Sequence, residues 1–442
     1  MNFFGKRLGR AVGTSLVCAA GAATLALASL IAATTAFGFR NNELAEDGDL
    51  RHWLEAGTQA TFRVPNWGAP YDRNLHFFAG GLARRGFPAG FANGHTNHSG
   101  VATILTAVAF PTSGPSPSRV VAFSKPLCLL WIFAGLQAAG ALARSLGAPP
   151  RVAWMAALGV ALFSGLNPFA IPAQESTQRI LAVAGTLYHN VTQQSSVALG
   201  LTGLLLACAE LRRPGRAFAL GCALISASFF FKPSLFCVVM PPLTLVALWR
   251  CEAGHRRFVL AGLGLAVGVS VLWYVYPLVL RVPRQPVPPL AVAWLGLQSI
   301  RVPGHVPWPT SSPLSLLATV VLLGYASLVL PLASAAARFV PRLRRGPLAA
   351  LRSARPVVLV LVGAFLLGQV TGLFLFEQGP KKMHGRVLFG LAAGVLCLLP
   401  LVVHEIARLP RPGLRRVAWS LYLAQIVSGV WNLWIYTFYG SL

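Results

Sequence analysis

Of the 442 residues, 55% are hydrophobic and 11% charged, the formal net charge is +26, and the mean hydropathy is +0.64. Roughly a quarter of the residues in a soluble domain are charged, so this composition excludes a soluble globular protein. It also argues against nucleic-acid binding, because the arginines stand between apolar runs and not on one basic face of a soluble domain.

Apolar runs recur near residues 13 to 38, 120 to 143, 152 to 172, 195 to 211, 217 to 231, 234 to 249, 258 to 280, 314 to 337, 356 to 376, 387 to 404 and 417 to 440. A run of about 20 residues crosses roughly 30 Å of hydrocarbon as a helix, which satisfies its own backbone there. The sequence therefore predicts an all-α polytopic membrane protein, 1–442 forming a single transmembrane domain of about 11 spans. Basic residues ahead of a small-residue-rich stretch also suit a cleaved signal peptide. The run from Ala11 to Phe39 outlasts an h-region of roughly 7 to 15 residues, and an uncleaved first helix is expected.

Charge orients these spans. Lys6, Arg7 and Arg10, then Arg144 and Arg151, then Arg212, Arg213 and Arg216, then Arg250, Arg256 and Arg257, then six arginines between 338 and 355, and last Arg408, Arg411, Arg415 and Arg416 fall in alternate connections. These connections hold 21 of the 37 basic residues and, among the acids, only Glu210, Glu252 and Glu405. The positive-inside preference makes them cytoplasmic, with the N-terminus inside, the C-terminus outside and the chain a multi-pass protein of the inner (plasma) membrane. The seven cysteines lie in apolar runs or, for Cys251, on the cytoplasmic side, without a Cys-x-x-Cys. They read as packing residues.

The first outer loop, about 40–119, is the longest connection, and a loop of this length is expected to be functional. It opens with "ELAEDGDLRHW", residues 43–53, and holds all three aspartates of the chain, Asp47, Asp49 and Asp72. One carboxylate here could take a proton from an incoming hydroxyl, and two at i and i+2 could share a divalent metal, Mg or Mn. The same spacing also suits a helix N-cap. Farther on, "LHFFAGGLARRG" and the ten apolar residues Val101 to Phe110 read as helices lying at the membrane surface. His52, His76, His95 and His98 are spaced too irregularly to specify a metal site.

Later outer connections carry the cations. Residues 173–194 include His189; the tight "FFFKPSLF", 229–236, carries Lys232; and a Pro-rich segment, "RVPRQPVPPL", is expected to be extended. Arginines outnumber lysines 32 to 5, so Lys232 stands out. Its ammonium could neutralise a lipid-linked phosphate at a helix end, or snorkel to mark the end of a short span. The late outer loop, about 377–386, gathers Glu377, Lys381, Lys382, His384 and Arg386 on the side where positive charge is disfavoured. A phosphate partner would account for it, as would anionic lipid headgroups. Inside the spans the notable polar residues are Gln137, Asn167 and Gln369. Ion-coupled transporters place ionisable groups near the midplane, so this pattern argues against transport and for an enzyme working at one surface.

One span followed by a long outer loop that opens with acids resembles the GT-C class of integral membrane glycosyltransferases. "DLRHWLEAG" followed by "APYD" is similar to the Asp-aromatic pattern of many bacterial members, at Asp49, Trp53, Tyr71 and Asp72. "FKPS" is similar to a Lys-Pro element of several bacterial branches, and "EQGPKKMHGRVLFG" looks like a late outer loop of the same branches. Trp53 stands where those members more often have tyrosine.

The resemblance implies inverting transfer of a hexose or pentose from a polyprenyl-phosphate donor to a hydroxyl of a glycan, lipid or protein acceptor at the outer face. Asp49, or Asp47 beside it, would be the base; Lys232, Lys381, Lys382 and Arg386 would hold the donor phosphate; and Trp53, Tyr71, Asp72, His189, Glu377 and His384 would contact substrate. A phosphate leaves without a general acid, so one base and several cations suffice. No cofactor is required, and a divalent metal is left open. Membrane lipids are the surroundings, and no nucleic acid is implied. The competing expectations are a polysaccharide ligase or polymerase, a transporter or flippase of lipid-linked sugar, and a non-catalytic membrane partner.

Overall fold

Proline opens six of the described helices. In a computed structural model, which describes residues 117–166, 191–229, 231–279, 290–292, 325–344, 346–377 and 385–439 together with Ala26 and Ser29, helices α1 (Pro117–Ser145), α2 (Pro150–Leu162), α5 (Pro233–Arg250), α8 (Pro347–Ser353), α9 (Pro356–Phe374) and α11 (Pro412–Tyr439) all begin at proline. There the missing N–H has no intrahelical partner to lose, and φ is already helical. The others are α3 (Val191–Ala209), α4 (Arg216–Ser228), α6 (Arg256–Val279), α7 (Ala326–Leu343) and α10 (Gly385–Ala407). Two short strands, β1 (Leu290–Val292) and β2 (Leu375–Glu377), pair antiparallel with Leu290 opposite Glu377.

Helix α1 stops at a glycine. Gly147 has φ +98°, its N–H bonds to the carbonyl of Arg144 at 2.8 Å, and the N–H of Ala148 reaches the carbonyl of Ala143 at 3.0 Å. This is the Schellman arrangement, which closes the last carbonyls of a helix and needs a residue free of Cβ. It turns the chain directly into α2.

Helix α10 is the centre of the bundle and packs against α1, α2, α5, α7, α9 and α11. From Leu391 to Val403 it carries no polar side chain, and its residues there are almost completely buried. A helix apolar all round belongs inside. Helices α3 and α4 cross through small residues. A Cβ on Gly203 would meet the carbonyl oxygen of Gly221 at 2.5 Å, and one on Gly221 would meet that of Gly203 at 2.5 Å. In lipid, close backbone approach of this kind replaces the hydrophobic drive that water supplies. The periphery is apolar as well: Leu130, Leu220, Leu245, Leu260, Leu366 and Val427 are all more than half exposed. Such a surface fits hydrocarbon better than water.

By length and composition, α5, α7 and residues 390–407 of α10 could each cross a membrane; α8 and α9, bent by 113° at their break, make a fourth candidate if counted as one span. Helices α2 and α4 have 13 residues each, about 20 Å, and stop short of the runs predicted to 172 and 231. Helix α7 continues past 337 to Leu343 and takes Arg338 and Arg342 into the helix. The first predicted span, apart from Ala26 and Ser29, and the first loop as far as residue 116 lie outside the described residues.

Among the described residues, the connections predicted to be cytoplasmic gather at one end. Arg355 Nη1 donates to the carbonyl of Leu146 at 2.8 Å, and the N–H of Glu252 bonds to the carbonyl of Arg212 at 3.1 Å. Arg250 Nη2 donates to the carbonyl of Ala354 at 3.0 Å, and Arg338 pairs with Glu405. This arginine end is one pole of the bundle; the turn carrying Lys232 lies at the other.

Candidate functional site

The segment between α4 and α5 is a single tight turn. The N–H groups of Phe231 and Lys232 both bond to the carbonyl of Ser228, at 3.1 and 2.9 Å. Lys232 then extends, with φ −156° and ψ 123°, and Pro233 opens α5. Aromatic pairs pin the turn: Trp131 of α1 meets Phe231 edge-on at 5.9 Å, and Phe229 meets Phe236 at 5.0 Å. A lysine that the sequence leaves without a hydrophilic loop is thereby held at a helix N-terminus while only 9% exposed.

Buried polar residues adjoin its backbone. Ser196 of α3 donates its hydroxyl to the carbonyl of Lys232 at 2.9 Å. One turn earlier on the same face, Gln193 is fully buried, and neither its Oε1 nor its Nε2 has a hydrogen-bond partner among the described residues. Ser234, on the first turn of α5, is buried with its Oγ also without a partner there. Leaving a buried amide unsatisfied costs about 1–3 kcal/mol, which a bound polar group would offset. The N-terminus of α5 adds first-turn N–H donors and the positive end of the helix dipole. Together with the Lys232 charge, the arrangement suits an anion.

The register of α5 against α9 places a further predicted residue at this pole. Arg250 meets Ala354, and a Cβ on Gly363 would touch Pro242 at 2.7 Å. Continued antiparallel, this register brings the Lys232 end of α5 level with the end of α9, where β2 leads to Glu377. Eight residues beyond Glu377 the chain enters α10 at Gly385, with Arg386 second in that helix. Asp47, Asp49, Trp53, Tyr71, Asp72, His189, Lys381, Lys382 and His384 lie outside the described residues.

Gln193, Ser196 and Ser234 are the neighbours that the sequence did not single out as site residues. The signal available was the polar run Gln193–Ser196 leading directly into an apolar stretch; its first two residues fall in the connection predicted for 173–194, whereas α3 begins at Val191. Among the described residues no three His, Cys, Asp or Glu side chains cluster as metal ligands. Gln369, one of the polar exceptions within the spans, accepts a hydrogen bond from the Tyr325 hydroxyl at 2.9 Å.

A second polar group sits at the arginine end. Glu405 is 7% and His404 5% exposed; Glu405 pairs with Arg338, and Arg408 Nη1 lies 3.2 Å from His404 Nε2. An arginine can only donate, so Nε2 accepts and Nδ1 carries the proton. His404 Nδ1 is buried without a hydrogen-bond partner among the described residues, while the ion pair of Glu405 with Arg338 ties α7 to α10.

No family model, curated protein or solved structure matches this chain.

Proposed function

We propose that the protein is a membrane glycosyltransferase of the GT-C kind, moving a sugar from a polyprenyl-phosphate donor to an acceptor hydroxyl at the Lys232 pole. The observation that carries this reading is Lys232 itself, buried at the N-terminus of α5 among Gln193, Ser196 and Ser234. A cation, a helix N-terminus and an unsatisfied amide in one apolar bundle favour a phosphate whose tail stays in lipid. The leaving phosphate needs charge neutralisation and no general acid. The acids of the first loop, Asp49 and Asp47, supply the base, and Lys381, Lys382 and Arg386 enter from the late loop after Glu377.

In this reading the many helices serve the lipid tail, and the arginine end faces the cytoplasm. Purified wild type, Asp49→Asn and Lys232→Ala are to be assayed with a panel of polyprenyl-phosphate sugars, with and without a chelator, following lipid-linked and water-soluble products. Transfer by wild type alone is the expected result. Donor binding without transfer, equal in all three proteins, would instead favour a flippase or a structural partner.

A further inference from the structure

At the arginine end a cleft of about 510 Å³ opens between Arg212, Trp249, Arg250 and Arg352. Its three arginines come from three places: Arg212 from the connection between α3 and α4, Arg250 from the last residue of α5, and Arg352 from α8. Arg250 is already committed to shaping the site. Its Nη1 and Nη2 donate to the carbonyls of Arg352 at 2.5 Å and Ala354 at 3.0 Å, fastening the C-terminus of α8 onto the end of α5. Arg212 and Arg352 are exposed, and the charges of both act on the Arg250 guanidinium.

The nearby acids do not compensate this charge. Glu252 Oε1 accepts from Arg213 Nε at 2.7 Å, and Glu210 Oε2 accepts from the backbone N–H groups of Gly215 and Phe218 at 3.0 and 3.1 Å. Three arginines lining one open cleft, with no carboxylate among its lining residues, suit an anion. Arginine favours phosphate, which its planar fork can bind with two parallel hydrogen bonds.

The walls identify where that phosphate comes from. Along α5, Leu245, Leu248 and Trp249 are 68%, 37% and 38% exposed, directly below Arg250. On α8, Leu348 and Leu351 are exposed while Ala350 is buried, and α8 lies across the bundle, bent by 113° from α9. A short helix lying across a spanning helix, with a tryptophan beside it, belongs at the level of lipid headgroups. We propose that the cleft binds the phosphate of an anionic phospholipid in the leaflet on the arginine side, its acyl chains lying along Leu245 and Leu248. This site is separate from the Lys232 pole and does not depend on the transfer reading.

The test is lipid retention by the full chain. Wild type, the pair Arg212→Gln with Arg352→Gln, and the control pair Arg415→Gln with Arg416→Gln, exposed on the N-terminal turn of α11, are reconstituted in equimolar phosphatidylglycerol and phosphatidylcholine. They are then extracted in mild detergent, and bound lipid is read by native mass spectrometry. Arg250 is kept so that α8 stays fastened. Wild type and control are expected to retain phosphatidylglycerol preferentially, and the Arg212/Arg352 pair to lose roughly tenfold or more of that preference. Equal retention by all three, or no preference in wild type, would overturn the proposal. So would wild type that retains no phosphatidylglycerol yet binds inorganic phosphate in a way the Arg212/Arg352 pair abolishes, since the cleft would then serve a soluble phosphate.

Discussion

Ser196 and Lys232 are 36 residues apart in sequence and joined by one hydrogen bond, from the serine hydroxyl to the lysine carbonyl at 2.9 Å. That bond ties α3 to the turn opening α5 and fixes the backbone from which the Lys232 side chain departs. Ser196→Ala removes it and leaves the carbonyl without that donor, costing about 0.5–1.5 kcal/mol. In the transferase reading the loss appears as weaker donor binding, with KM raised more than kcat falls. Lys232→Ala is expected to abolish transfer, and Lys232→Arg to restore part of it, because the charge returns on a different geometry. Steady-state assays across a donor series check both; full activity in Lys232→Ala would remove this pole from the mechanism.

The crossing of α3 and α4 gives a prediction that needs no substrate. Gly203 and Gly221 face each other so closely that a Cβ on either would stand 2.5 Å from the other's carbonyl oxygen. Since these contacts are to backbone, a methyl group cannot be absorbed by a side-chain rotation, and the helices must part. Gly221→Ala should lower thermal stability in detergent by about 1–3 kcal/mol, the usual cost of overpacking. Gly264→Ala, where a Cβ meets nothing within 4 Å, should leave it unchanged or raise it slightly. Comparable melting of the two variants would mean that the crossing is looser than described.

How far the sequence reveals this architecture can be judged residue by residue. The apolar run from 234 to 249 and α5, Pro233–Arg250, nearly coincide, because proline and arginine punctuate both ends. The outer connection predicted for 173–194 takes in Gln193 and Gln194, yet α3 already begins at Val191; both glutamines are buried, which hydropathy alone does not reveal. Arg338 reads as a loop cation from charge alone, yet it lies within α7 and pairs with Glu405. Lys232 was legible from composition as a candidate cation. Gln193 and Ser196 were not, since they arrive from α3 through a contact that no local pattern announces.

Cys251 offers a test of orientation. It follows α5 at the arginine end and is half-buried; Cys208, Cys222 and Cys397 are buried within helices, and Cys237, although exposed, lies within apolar α5 and is replaced by serine in the labelled protein. A thiolate forms and reacts only where water and reagent reach it. A membrane-impermeant maleimide is therefore expected to label Cys251 in inside-out vesicles and to spare it in right-side-out ones, with Cys251→Ser as the blank. Labelling from the opposite side would invert the topology, and with it the assignment of the Lys232 pole to the outer face.

The ion pair between Glu405 and Arg338 predicts an asymmetric response to mutation. The Glu405 side chain is 9% exposed and that of Arg338 41%, so the two charges do not depend on each other equally. Glu405→Leu leaves an arginine that can turn toward water or headgroups, and the loss should be small. Arg338→Leu leaves a buried carboxylate without the ion-pair partner described for it, apart from His404 at 3.9 Å, whose Nε2 faces Arg408. Breaking a fully buried pair costs about 3–5 kcal/mol, and the partial exposure of Arg338 lowers this to about 1–3 kcal/mol. The double variant Glu405→Leu with Arg338→Leu should recover most of the loss, because desolvation of the carboxylate disappears together with the attraction that offset it. Thermal unfolding of the four proteins in one detergent measures the coupling. Additive losses, or a larger drop for Glu405→Leu than for Arg338→Leu, would mean that the contact is incidental and that another residue holds the carboxylate in place.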